Sequence, residues 1–230
     1  MKKLLLTSLI TSLLIGCSSS VPSPNLEQFT EYSGGHIAGD ATSLFWYTER
    51  LSQPSSGADY VTAGDYGWYK TDYRWSEGSV RELIREGEQL GDDGLVPYRV
   101  HVRFNKDGQA IYQRYRLDGK VLPINQESLN RYLAEAQSVI DSTKESDSSN
   151  YELIQGIWDG STFETCSGRV YDSVEFNQTL PSFVINRLST IDSYVAFLGR
   201  SRLNRLQVEE LLMLADEDHE CISRPELLSE

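Results

Sequence analysis

Between residues 98 and 117 apolar and polar positions alternate. Tyr98, Val100, Val102 and Phe104 are separated by Arg99, His101 and Arg103. That period of two marks a half-buried strand. Asn105-Lys106-Asp107-Gly108 then supplies a turn, because Gly accepts the positive φ a tight hairpin requires. A return strand runs from Ile111 to Leu117, and Asp118-Gly119 turns the chain again toward Val121-Leu122. Upstream, from about residue 35, the pattern is also mostly strand, with the apolar run Leu44–Tyr47 and a densely aromatic stretch from Tyr66 to Trp75. Residues 79–90 fit two periods. Val80, Leu83 and Ile84 suit a helix, whereas Gly78 and Gly87 weaken one, and strand is the preferred reading.

Over 126–141 the period changes. Leu129, Tyr132, Leu133, Ala136 and Ile140 share one face of a helix, with Asn125 placed to cap it and Glu127 in the favourable first turn. The Ser-rich segment 141–150 that follows reads as an interdomain linker. Beyond it come expected strands at 151–158, 161–166 and 170–177, a short helix near 181–189 with Pro181 in its first turn, and strands at 193–199 and 206–214. Three strands, a helix and two strands is the element order of the OB-fold. The expected class is therefore α+β and mainly antiparallel. A sheet domain with one packed helix (33–145) precedes a small OB-like five-stranded barrel with an acidic tail (146–230).

The N-terminus has a different character. Lys2 and Lys3 precede an apolar stretch, Leu4 to Ile15, interrupted only by Thr and Ser. A spanning helix needs about 20 apolar residues, so this run reads as the core of a signal peptide, residues 1–16. It ends in Leu14-Ile15-Gly16-Cys17, which resembles the bacterial lipoprotein signal. The resemblance implies diacylglyceryl attachment at Cys17, cleavage before it, and acylation of the new amine. Ser18 stands where an inner-membrane retention signal would place Asp, which points to the outer membrane. Residues 17–32 then form the anchor and a Ser/Pro tether, kept extended by Pro and solvated by Ser.

Charge sharpens this picture. The chain has 21 Lys+Arg against 34 Asp+Glu, a net charge of −13. Such a body lacks the cations that neutralise phosphates in nucleic-acid binding. Anionic headgroups repel it, so lipid rather than a basic patch must hold it to a membrane. Besides Cys17 there are two cysteines, Cys166 and Cys221, and in an oxidising compartment an even pair suggests a disulfide.

Candidate chemistry is sparse. The sequence carries no G-x-S-x-G, H-E-x-x-H, S-x-x-K, Walker loop or G-x-G-x-x-G, and no cofactor or metal motif. His36 and Asp40 lie close in sequence without a nucleophile in a recognisable elbow. Asp216-Glu217-Asp218-His219-Glu220 lacks the alternation and Gly of a calcium loop and reads as a solvated acidic run. Two surfaces carry binding expectations. Trp68 and Trp75 belong to an aromatic cluster that either fills the core or stacks on glycan. The polar side of the 98–117 hairpin gathers Arg99, Arg103, Arg114 and Arg116, which either pair with Glu82, Glu86 or Glu88 or bind an external carboxylate or phosphate.

A lipoprotein of this length with Gly67-Trp68-Tyr69-Lys70-Thr71-Asp72-Tyr73-Arg74-Trp75, the hairpin Arg103–Gly108 and a late Cys resembles the YjaH-like family of Gram-negative lipoproteins. The resemblance implies an envelope location and carries no active site with it. The expected role is binding or scaffolding on the periplasmic side of the outer membrane, with an envelope protein or an anionic glycan as partner. The rival expectations are a glycan-cleaving hydrolase drawing on Asp40, Asp92, Asp93 or Glu164 as paired carboxylates, and an envelope-stress sensor.

Overall fold

The computed structural model describes residues 28–177 and 179–228. The expected leader, Cys17 and most of the expected tether lie outside the described residues. The first strand, β1 (Phe29–Ala38), begins inside the segment expected to be tether. It opens an antiparallel meander with β2 (Ala41–Arg50), β3 (Gln53–Thr62), β4 (Gly67–Ser76), β5 (Ser79–Gly91), β6 (Gly94–Phe104), β7 (Ala110–Leu117) and β8 (Lys120–Leu122). Each strand pairs with its sequence neighbour, giving an eight-stranded sheet. The segment of mixed period, 79–90, is strand. Its alternation is blurred because Leu83, Ile84 and Arg85 are all buried, so both sides of the sheet are covered here.

One side is covered by α1 (Gln126–Ser148). Asn125 caps it, accepting from the Ser128 amide at 2.7 Å. Phe45, Tyr47, Tyr73, Trp75, Leu83, Val100 and Val102 of the sheet pack with Leu129, Tyr132, Ala136, Val139 and Ile140 of the helix. The helix runs on through 141–148, where a linker was expected. Its polar residues hide a narrow buried face: Thr143 and Ser146 turn their hydroxyls back to the Val139 and Ser142 carbonyls, at 2.8 and 2.9 Å. Satisfied in this way, they pack where a large apolar side chain would not fit. A Cβ on Gly34 would lie 2.7 Å from the Ser146 hydroxyl oxygen, so β1 and the last turns of α1 meet because both are small.

The same helical stretch is pinned by charge. Lys144 Nζ lies 2.5 Å from Glu49 on β2, and Tyr32 and Tyr47 each donate to that carboxylate at 3.2 Å. The bond from Lys144 holds the Glu49 carboxyl below its usual range, against the opposing effect of burial. A carboxyl with a lowered folded-state pKa stabilises above its unfolded pKa, about 4.3, and that stability is lost as pH falls through the folded value. Glu49→Gln is therefore expected to cost about 1–2 kcal/mol at neutral pH. The gap from the wild type should narrow in denaturation series run below pH 4; a constant gap across that range would contradict the assignment.

The second unit is a six-stranded sheet of β9 (Glu152–Trp158), β10 (Phe163–Thr165), β11 (Val170–Tyr171), β12 (Ser173–Phe176), β13 (Ser193–Arg202) and β14 (Arg205–Asp216), in the order β11-β10-β9-β13-β14-β12. The strand expected at 170–177 is divided at Asp172. Its first part pairs with β10 and its second runs parallel to β14, so one segment reaches both edges and nearly closes the barrel. This gives six strands instead of five while keeping the OB-like order. Val184 and Leu188 of α2 (Ser182–Thr190) seal a core of Ile154, Phe163, Val195, Phe197, Leu206 and Val208. No helix among the described residues is long and apolar enough to cross a membrane.

The two units share an interface on the other side of β1 and β2. The Ser33 hydroxyl accepts from the Leu153 amide at 3.0 Å, and Thr42 donates to the Leu212 carbonyl at 3.0 Å. A Cβ on Gly35 would lie 2.6 Å from a Leu212 methyl carbon. Adjacent glycines thus let one strand be covered on both faces.

The C-terminal segment is docked as well. Cys221 is bonded to Cys166, beyond the end of β10. From there Arg224 donates to Thr48 and Ser56 at 2.6 and 2.7 Å, and Asp72 accepts the Leu227 and Leu228 amides at 3.0 and 2.9 Å. Within the acidic run, Glu217, Asp218 and Glu220 are exposed as expected, while His219 stacks on Tyr194 with centroids 4.4 Å apart.

Candidate functional site

The register of the large sheet places Asp59, Thr71 and Arg85 side by side on β3, β4 and β5, on the face that meets α1. A charged row at core depth must be paired, since an isolated buried charge costs far more than a hydrogen bond returns. Arg85, 4% exposed, donates through Nε to Thr71 at 2.7 Å and through Nη2 to the Tyr73 hydroxyl at 3.2 Å. Nη2 is also 2.8 Å from Glu135 on α1 and 3.8 Å from Asp59. The guanidinium lies over the Tyr69 ring, 3.9 Å from its centroid. Tyr73 donates to Asp59 at 2.8 Å. Glu135 is held in turn by Arg131, one helical turn earlier, at 3.6 Å.

Burial works against the charge on Arg85, but Tyr73, Asp59, Tyr69 and Glu135 outweigh it and hold the guanidinium firmly protonated. Burial pushes the Asp59 carboxyl up, opposed by Arg85 and by its bonds to Thr71 and Tyr73. The pairing is incomplete. Asp59 Oδ1 and Glu135 Oε2 have no hydrogen-bond donor among the described residues, although Oε2 sits close to Nη2 off the bonding direction. Arg85 Nη1 and the Tyr98 hydroxyl likewise make no hydrogen bond to a described residue.

Arg85 also forms the inner wall of a cavity of about 230 Å³ beneath the start of α1. Gln89, Tyr98 and Tyr115 come from the sheet, Pro123 to Ser128 from the helix entry, and Arg131 and Tyr132 from the next turn. Tyr98 and Tyr115 meet edge to face with centroids 6.4 Å apart, and Tyr115 reaches Gln89 at 3.5 Å. Burial raises both tyrosines, so their hydroxyls stay protonated at neutral pH and serve as donors. Two guanidiniums and two neutral phenols thus line this pocket, and the Glu135 carboxylate pairs with both guanidiniums from outside the wall.

The residues singled out from the sequence fall elsewhere. Trp75 is a core residue, 6% exposed and packed against Tyr47 and Tyr73, so it offers no face to a glycan. Trp68 lies on the opposite face of the sheet, half-buried, stacked on Tyr60 and bonded through Nε1 to Glu88 at 3.1 Å. The arginine face divides in two. Arg99 pairs with Glu86, and Arg103 lies 3.6 Å from Glu82, which also holds His101 at 2.7 Å. Arg114 and Arg116 are exposed and have no ion-pair partner among the described residues. Cys166 and Cys221 form the disulfide. His36 packs near Phe45 and makes no contact with Asp40, which sits in the β1–β2 turn. Asp92 and Asp93 lie in the β5–β6 turn and Glu164 in β10, so these carboxylates belong to separate elements. No group of three His, Cys, Asp or Glu among the described residues could hold a metal ion.

Arg85, Asp59 and Glu135 were not singled out from the sequence. The available signal was alternation: Tyr69, Thr71 and Tyr73 point to one face, and Leu83, Arg85 and Gly87 oppose them in register. Reading 79–90 as strand puts Arg85 among core positions.

Residues 33–226 match a family described as protein of unknown function (DUF1481). The chain belongs to this family. The match spans both units, so the helix-covered sheet and the barrel are together the family's unit, and the Arg85 cavity lies within it. No curated protein and no solved structure matches the chain.

Proposed function

We propose that this DUF1481 protein is a lipoprotein held by Cys17 in the outer membrane, facing the periplasm, and that it acts there by binding. The anchor rests on Leu14-Ile15-Gly16-Cys17 behind a basic and apolar leader, and on the resemblance to the YjaH-like lipoproteins. The binding role rests on one observation: a buried arginine with an unbonded nitrogen forms the wall of a cavity open to small molecules. A fold stabilised only for its own sake gains little from a buried charge, which apolar residues replace at no loss. The arginines Arg114 and Arg116 on the opposite sheet face offer a second, exposed contact for an envelope partner or anionic glycan.

The experiment has two arms. Cys17→Ser should move the protein out of the membrane fraction, because acyl chains supply about 0.8 kcal/mol per buried CH₂ and nothing in an acidic body replaces them. Continued sedimentation of that variant with outer membrane would refute lipid anchoring. Cross-linking in intact cells should capture a discrete envelope partner with the wild type and lose it with the unlipidated variant. Capture of catalytic turnover products instead would favour a hydrolase.

A further inference from the structure

We infer that the cavity beneath α1 is a receptor for a compact oxyanion, a carboxylate or phosphate group, received between Arg85 and Arg131. The inference deepens the binding reading above and rests on it. Its first support is the sign of the lining. The only charged side chains on the wall are the two arginines, in a chain where acids outnumber bases 34 to 21. Asp59 and Glu135 pair with Arg85, and Glu135 also pairs with Arg131, but neither carboxylate is part of the cavity wall.

The second support is the state of the donors. Nε and Nη2 of Arg85 are committed to Thr71, Tyr73 and Glu135, which fixes the plane of the guanidinium. Nη1 makes no hydrogen bond to a described residue, and neither does the hydroxyl of Tyr98 on the same wall. An arginine immobilised on one edge and free on another loses little entropy when it takes up an anion. Arg131, with its side chain 58% exposed, stands at the mouth where it can close on a bound group.

Size limits the ligand. Drug-sized ligands occupy roughly 300–1,000 Å³, so about 230 Å³ admits a small acid or the end of a longer molecule. The Tyr98 and Tyr115 rings give a short apolar wall beside the charge.

The test is isothermal titration of the full lipidated chain in non-ionic detergent with three probes: acetate, N-acetylglycine and inorganic phosphate. At least one should bind with a Kd of ~1 mM or tighter. Arg131→Gln should weaken that binding about tenfold, and Ser128→Phe, which places a ring in the cavity, should abolish it. Ser128 takes no part in the Arg85 pairing and Arg131 touches it only through Glu135, so urea unfolding of both variants beside the wild type checks that the fold is retained. The double variant Arg114→Gln, Arg116→Gln should bind as the wild type does. Preference for acetate and N-acetylglycine identifies a carboxylate receptor, and preference for phosphate a phosphoryl receptor. No binding of any probe at ~10 mM, or loss only in the Arg114/Arg116 variant, overturns the inference. In either case captured partners in cells would still support the broader binding role.

Discussion

Arg85→Met is expected to lower stability by about 3–5 kcal/mol, the usual result of leaving a buried partner charge uncompensated. The reason lies in what remains. Asp59 is 2% exposed and would keep only its bonds from Tyr73 and Thr71, while Glu135 would lose its contact with Nη2 and retain Arg131 alone. The Met side chain can occupy much of the same volume, so the loss is electrostatic. Two companion variants separate this from packing. Arg85→Met with Asp59→Asn should recover part of the loss, since one of the stranded charges is gone. Arg85→Lys should fall between, because one ammonium keeps the charge beside Glu135 but cannot serve both Thr71 and Tyr73 in the directions the planar fork reaches. The measurement is urea unfolding of these three variants and of Asp59→Asn alone, beside the wild type. If the double variant loses as much as the two single changes added together, the pair is not coupled and the account of the cluster fails.

Alternation and turn chemistry made most of the large sheet legible. Tyr98, Val100, Val102 and Phe104 do face inward, and Asn105–Gly108 does turn the chain. Where reading failed, one residue type was serving a purpose its average does not suggest. Thr143 and Ser146 look like linker residues because Ser and Thr favour turns, yet both are buried where the helix meets Gly34 closely and a large side chain would not fit. The 170–177 strand looks continuous because nothing in Val-Tyr-Asp-Ser-Val-Glu-Phe marks a break. Its division at Asp172 follows from the two edges it must reach. Trp75 shows the limit of composition: the same aromatic cluster supplies the core side chains Tyr47, Tyr73 and Trp75 and the outer-face residue Trp68, and only register separates them. The cavity was beyond reach for a related reason. Arg85 becomes a site residue only when Asp59 and Thr71, from two other strands, and Glu135 and Arg131, from the helix, converge on it. No local spacing encodes that meeting.

The disulfide should matter about as much as the buried arginine, through a different route. Linking Cys166 to Cys221 closes a loop with a sequence separation of 55 and restrains the unfolded chain by about 4 kcal/mol in the entropy account. It also delivers the last residues to the large sheet. Past Cys221, Ile222 exchanges two hydrogen bonds with Gln155, both at 3.1 Å, and Arg224 and the Leu227 and Leu228 amides engage Thr48, Ser56 and Asp72. Burial raises the Asp72 carboxyl, and those two amides are the first groups that counter it. Releasing the segment would leave Asp72 buried among fewer donors. Cys221→Ser is therefore expected to lower the melting temperature by on the order of 10 °C for a chain of this size. It should also raise amide exchange in Asp72 and its neighbours on β4, far in sequence from the cysteines. Shortening the chain after Ser223 with the disulfide intact separates the two contributions, since it removes the docked residues and keeps the cross-link. That shorter chain should retain most of the thermal stability and show the same local exchange at β4. Equal melting temperatures for Cys221→Ser and the wild type under oxidising conditions would rule out a structural role for the bond. Unchanged exchange at β4 in both variants would mean the tail does not hold the sheet.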